Sequence, residues 1–296
     1  RRVVAGGRRR AKDQRAAVVG LDGGRRARPA DPLLQQSLVQ VVREGRGLDA
    51  ALETADRLAR QEAARPTSLT LRGDLLMGAE RHEEAAAAYA SVFQQAPSRD
   101  LALRRAAALQ RLNKPADAAA ALAAWIEREP GDAAVQAQLA EVEIAAGTTA
   151  EAERRLVQVV AARPEDAVSL NNLAWLMQAR SDPATAEGRA TLERARQYAE
   201  RAYYIGPSAE TADTLGWILA RAGEGARAVP LLRQAAAASV ARQRPDPSMF
   251  YRFAVALEAA GQRDEARRVL EPVVKADVQF PERAEAERLL TRLGGG

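Results

Sequence analysis

An all-α solenoid built from repeated antiparallel helix pairs is the fold class that this 296-residue sequence predicts. Three observations carry it. The chain is 47% hydrophobic but only 4% aromatic, and much of the apolar content is alanine. Such a composition packs helices closely and fills a pleated sheet poorly. No stretch alternates apolar and polar residues strongly enough to stand against the helical periods. Proline punctuation recurs at Pro97, Pro130 and Pro164, at intervals of 33 and 34 residues, with Pro207 following. That is the period of a stacked helical repeat.

Within each interval a small residue recurs in the first helix (A) of a pair: Gly73, Ala106, Ala140, Ala174, Gly216 and Ala254, with Val39 in an earlier, weaker copy. Twelve residues further on, in the second helix (B), stands an alanine: Ala51, Ala85, Ala118, Ala152, Ala228 and Ala266, with Ala195 displaced by an insertion. Small residues at both places let helices A and B approach closely. Larger neighbours fill the remaining space: Leu173 with Met177, Leu215 with Leu219 and Phe253 with Leu257 on A, and Tyr89, Leu122, Trp125, Leu156 and Leu270 on B. Gly147, Gly223 and Gly261 fall at A–B turns, where a helix end wants the left-handed conformation. Proline closes helix B because it cannot continue a helix.

Seven units follow in order: about 32–63, 66–97, 99–130, 133–164, 167–207, 209–242 and 247–278. The first lacks a closing proline in phase, and Arg72 and Arg105 occupy places that are otherwise apolar. The fifth carries the insertion ARSDPATAEGR at 179–189. The stretch PERAEAERLLTRL, 281–293, starts at a proline and carries Leu289, Leu290 and Leu293 on one side, so it reads as a capping helix over the last unit. Ahead of all this, residues 1–30 carry +8 of charge, which leaves −3 for the rest of a chain whose net charge is +5. Basic, glycine-containing and without a sustained period, that segment reads as disordered or as a fragment edge.

The repeats resemble the tetratricopeptide repeat (TPR) over roughly residues 32–280. The resemblance implies a right-handed α-solenoid of about seven TPR-type helix pairs with a C-terminal capping helix. It also implies a binding groove lined by the fifth, ninth, twelfth and thirteenth places of each helix A. In the fifth unit these supply Asn171, Trp175 and Gln178; in the sixth, Asp213, Trp217 and Arg221; in the seventh, Tyr251 and Glu258. Two roles fit the Trp175–Trp217 pair: packing between successive helices, or contact with a ligand. A groove offering Trp, Trp and Tyr beside amides and Arg suits a protein or peptide partner, with a glycan as a second class. Tyr203 and Tyr204, on a helix B, are expected on the convex side or in the core.

The C-terminal third, LNNLAWLM, RARQYAERAYYIGP, ADTLGWILARAGEGARAVPLLRQA and the Phe280-Pro281 lead into the last helix, is similar to the TPR-repeat lipoproteins of the PEP-CTERM/exosortase system. That resemblance implies a bacterial cell-envelope protein, lipid-anchored and linked to exopolysaccharide production. A cytoplasmic scaffold is the alternative. So is the TPR segment of a larger enzyme, a glycosyltransferase or peptidase, that presents substrate.

Chemistry has little to work with. The chain has no cysteine and one histidine, His82, which is expected to be solvated at a turn. His-based catalytic sets and thiolate metal sites are therefore not available, and no phosphate-binding glycine motif is present. The expectation is a non-catalytic protein with no cofactor and no metal. Nucleic acid is not an expected partner, because the basic arm has no interleaved aromatics. No apolar run approaches the ~18 residues of a membrane helix. Any membrane link would run through a lipid anchor outside this chain, which begins at Arg1 and reads as a fragment or processed form.

Overall fold

The structure, a computed structural model, describes residues 16–21, 23–24, 28, 31–61, 64–276 and 278–294. From Pro32 onward the described residues form fifteen α-helices and no strand. In order they are α1 (Pro32–Arg46), α2 (Leu48–Ala59), α3 (Arg65–Gly78), α4 (His82–Gln95), α5 (Arg99–Arg111), α6 (Pro115–Ile126), α7 (Ala133–Ala146) and α8 (Thr149–Ala162). They continue with α9 (Ala167–Ala179), α10 (Ala186–Ile205), α11 (Ala209–Arg221), α12 (Gly225–Ala241), α13 (Pro247–Ala259), α14 (Arg263–Lys275) and α15 (Arg283–Gly294). Odd-numbered helices up to α13 are A helices and even-numbered ones are B helices. The chain divides into two compact units, Arg1–Thr148 and Thr149–Gly296.

Local signals start and stop these helices. Asp31, Ser98, Asp132, Asp166, Ser208 and Asp246 cap α1, α5, α7, α9, α11 and α13 through their side chains. Each takes one or more of the N–H groups that a helix start leaves free. The B helices α4, α8 and α10 end within two residues of Pro97, Pro164 and Pro207. At the A–B turns Gly147, Gly223 and Gly261 have φ of 83°, 82° and 77°, as expected. Glu80 and Asn113 hold the same left-handed place in the second and third pairs, at φ 60° and 54°. Pro230 and Pro272, by contrast, lie inside α12 and α14. Both are exposed, so the carbonyls they leave unpaired can turn to water.

The register of small residues governs the packing. Ala51, Ala85, Ala118, Ala152, Ala195, Ala228 and Ala266 are all 0% exposed. On the A helices, a Cβ added to Gly73 would lie 2.4 Å from Cε1 of Tyr89, and one added to Gly216 would lie 2.6 Å from Cγ of Leu232. Tyr89, Leu122, Leu156, Leu173, Leu219 and Leu257 fill the space around these close approaches and are buried. Trp125 is only half-buried; its Nε1–H donates to Asp132, 3.0 Å away, which also caps α7. At the C-terminus Ala286, Leu289 and Leu293 of α15 are buried, although the helix begins at Arg283, after Pro281 and Glu282 form a turn.

Three expectations change. The insertion in the fifth pair is absorbed partly as helix: α10 begins nine residues before Ala195, where the other B helices begin three residues before their alanine. A compact turn at 180–185 precedes it. There the Asp182 side chain accepts from the Ala184 N–H at 3.0 Å, and Thr185 caps α10 by accepting from the Gly188 N–H at 2.9 Å. A Cβ on Gly188 would lie 1.9 Å from the Asp182 carbonyl oxygen. Within 1–30, residues 16–21 are helical rather than irregular, because Val18 and Leu21, one turn apart, pack against the core of the first unit. Most of the remaining basic segment lies outside the described residues. His82 is not fully solvated: its Nδ1 is buried and accepts no hydrogen bond among the described residues.

Overpacking tests the register. Ala195→Leu or Ala228→Leu is expected to destabilise by about 1–3 kcal/mol or more, read as a lower denaturation midpoint. Gly216→Ala discriminates more sharply. At an ordinary helical site that change gains about 1 kcal/mol of helix propensity. Here the contact with Leu232 should reverse the sign and lower the Tm; a raised Tm would show that the helices simply part.

Candidate functional site

The expected groove residues all fall in the second unit, on the A helices α9, α11 and α13. These three lie side by side, α11 between the other two. The structure brings one group of them together around a residue that the sequence reading passed over, Arg252. It stands in the run MFYRFAVAL at the centre of α13, next to Tyr251, and is 5% exposed.

A guanidinium cannot be buried there without compensation. Arg252 finds it on three sides. Its Nε donates to Oδ1 of Asp213 on α11 at 2.9 Å, and its second terminal nitrogen lies 2.8 Å from Oδ2, a fork-to-fork pair. Its other terminal nitrogen donates to Glu282, in the turn before α15, at 3.2 Å. Its guanidinium carbon lies 5.3 Å from the ring centroid of Trp175 on α9, a cation–π distance. Ser248, at the start of α13, donates to the other oxygen of Glu282 at 2.6 Å. Burial raises the Asp213 pKa above the ordinary aspartate value, an effect that the adjacent Arg252 only partly reverses. Asp213 therefore faces Arg252 and offers almost no surface.

The aromatics lie around this ion pair. Trp217 on α11 and Tyr251 on α13 have ring centroids 6.2 Å apart with planes tilted by 55°, an edge-to-face type of contact. Trp175, Trp217 and Tyr251 are each half-buried, so each keeps part of its ring at the surface. Burial raises the Tyr251 pKa, helped by the negative charges of Glu285 and Glu282. One turn before Trp175 stands Asn171. Its Oδ1 is buried and accepts no hydrogen bond among the described residues.

The other expected residues form separate contacts. Gln178, 2% exposed, is used internally: its backbone carbonyl and its Oε1 both accept from Arg221, the latter at 2.8 Å. Arg221 also donates to the Ser181 carbonyl at 2.5 Å, holding the turn after α9. Glu258 pairs with Arg292 of α15 at 3.0 Å and belongs to the cap contact. Of the tyrosines, Tyr204 is 88% exposed, while Tyr203 donates to Gln234 at 2.9 Å. Ser181, Ser248 and Glu282 were not signalled by the repeat. Arg252 was legible as a lone charge in an apolar helix A run, a pattern that demands a partner.

Arg252→Met is expected to destabilise the second unit by about 3–5 kcal/mol, because Asp213 is left buried without its cation. Arg252→Met with Asp213→Leu should recover most of that loss. The single variant's deficit has a defined pH dependence. Without Arg252, burial and the charges of Asp246 and Glu282 all raise the Asp213 pKa further. A folded pKa above the unfolded one means stability is fullest in acid and is lost as pH rises through the folded value. Denaturation midpoints should therefore show a smaller gap from the parent protein at pH 4.5 than at pH 7.5, in roughly the range where a raised carboxyl titrates.

No protein-family model and no curated protein matches the chain. Solved structures do. A tetratricopeptide repeat protein from Parabacteroides merdae is similar with a TM-score of 0.54 and 13% identity, over 89% of this chain and 99% of that one. The Pseudomonas aeruginosa pilF structure gives 0.57 and 14%, over 75% and 96%. The APC/C hetero-tetramer Cut9–Hcn1 gives 0.59 and 14%, over 93% of this chain and 52% of that one, so the chain spans about half its length. With the helix pairing and the buried register already described, the chain has the all-α solenoid fold of tetratricopeptide repeats.

Proposed function

We propose that the protein is a non-catalytic scaffold that holds an extended segment of a partner protein against α9, α11 and α13. The observation that carries this reading is the half-buried row Trp175, Trp217 and Tyr251, one aromatic from each of three neighbouring A helices. Aromatic rings supply contact area with little entropy to lose. Asn171, one turn before Trp175 on α9, adds a half-buried amide beside that row. Arg252 stiffens the row by tying Trp175, Asp213 and Glu282 together. Asp213 and Gln178 serve this site as internal braces and Glu258 as a cap contact. No helix among the described residues is long and apolar enough to cross a membrane.

The resemblance of the C-terminal third to PEP-CTERM-system lipoproteins supports a narrower setting: a lipid-anchored envelope protein serving exopolysaccharide assembly.

Two measurements test these readings. Trp217→Ala should weaken partner capture at least tenfold, the range of an interface anchor worth over 1.4 kcal/mol, while moving Tm by only a few degrees. A large loss of Tm with partner affinity unchanged would assign Trp217 to packing. For the setting, cell fractionation with mass spectrometry of the mature N-terminus should find a lipidated cysteine upstream of Arg1 in the membrane fraction. A soluble, unlipidated protein would overturn the envelope reading.

A further inference from the structure

The insertion in the fifth pair builds a pocket that the partner groove does not use. It is a cavity of about 410 Å³, bounded by the 180–185 turn, the first turns of α10 and the C-terminal end of α11. Its walls are apolar at Pro183, Leu192 and Ile218. Three guanidinium groups line it: Arg189, Arg196 and Arg221.

Two of these cations are not neutralised. Arg221 donates only to the Gln178 and Ser181 side chains and backbone carbonyls, with no ion pair among the described residues. Among the described residues Arg189 donates only to the carbonyls of Pro183 and Ala184, both at 3.0 Å. Burial lowers the Arg221 pKa, and the more distant Asp182 only partly offsets this, as expected for a cation short of a counterion. Arg196 is paired with Glu193 and Glu224, at 2.9 and 3.1 Å, and its buried Nε, which has no hydrogen-bond acceptor among the described residues, lies 3.9 Å from Glu200. The lining's uncompensated positive charge is therefore that of Arg189 and Arg221, since Arg196 is matched by its own carboxylates. Carbonyl dipoles from the end of α9 ease the position of Arg221. They leave its net charge uncancelled.

We propose that this pocket binds a small organic monocarboxylate, a free acid whose carboxylate meets Arg189 and Arg221 and whose short carbon stem lies on Pro183, Leu192 and Ile218. Guanidinium forks match carboxylate geometry, and the volume is in the range of small-molecule sites, about 300–1,000 Å³. Glu193 on the wall repels a dianion more than a monoanion, which disfavours phosphate. The compact turn and Gly188 hold the site in shape without a ligand.

Calorimetry on the full chain at low salt tests it, with valerate as probe, valeramide as its uncharged twin, inorganic phosphate, and N-acetyl-leucine as a stand-in for a peptide terminus. The expected result is saturable one-to-one binding of valerate. Valeramide and phosphate should bind at least tenfold more weakly. Arg189→Ala, and Arg189→Gln, which removes the charge but keeps an N–H donor for the Pro183 and Ala184 carbonyls, should each weaken valerate tenfold or more, whereas Arg233→Ala on α12 should not. Binding of N-acetyl-leucine alongside valerate leaves the assignment standing. The proposal is overturned if valerate shows no saturable binding, if valeramide or phosphate binds as tightly, if Arg189→Ala leaves its affinity unchanged, or if N-acetyl-leucine alone binds.

Discussion

Everything in this molecule depends on how closely helix A can approach helix B. From the second pair on, the approach is set at two places, a glycine or alanine on A and an alanine on B; in the first pair Val39 takes the place on A. At Gly73 and Gly216 even one added carbon would overlap the side chain opposite. Contact at that range gives dispersion and apolar burial to side chains that are individually small, which is how a chain so poor in aromatics holds a core. It also fixes the rotation of each A helix about its own axis. That rotation decides which residues turn inward with Leu173 and Leu215 and which turn to the other side with Trp175 and Trp217.

The second unit adds to this apolar frame a charge cluster that apolar packing alone would not require. Arg252 is enclosed by groups from α9, α11 and the turn before α15. A buried ion pair of this kind is weak evidence for stability, since two hydrophobic residues of like volume often serve as well. Its contribution is geometric. The fork fixes α13 against α11, the third bond draws the lead of the capping helix onto the same guanidinium, and the Trp175 ring covers the remaining face. The aromatics beside it inherit that order, so Trp217 and Tyr251 are held at a tilted contact while part of each ring stays at the surface. Preorganised rings lose less freedom when they meet a partner.

The insertion shows a different use of the same scaffold. An ordinary A–B turn in this chain needs one residue in the left-handed region. The fifth pair instead has a six-residue turn at 180–185, capped by Thr185 and closed by Gly188 against the Asp182 carbonyl. Arg189 and Arg221 hold the turn by its carbonyls. A regular repeat is thereby opened on one side into a basic pocket without disturbing Ala195 or the rest of the B helix.

How much of this was legible in the sequence follows from the range of each signal. Small residues twelve apart, prolines after helix B and glycines at the turns are local features. They act within one pair, so the chain by itself determined the helices, their pairing and the seven buried alanines. The helix at residues 16–21 was not legible because a pair such as Val18 and Leu21 is too short to show a period. What only the tertiary structure decided is which polar groups are used internally and which remain available. Asp213, Gln178 and Arg221 look alike on a helical register. They differ because Arg252 lies across the interface from one, and because the other two face each other over 43 residues of chain. Such partnerships depend on side chains meeting between pairs, and the period carries no information about which side chains will meet.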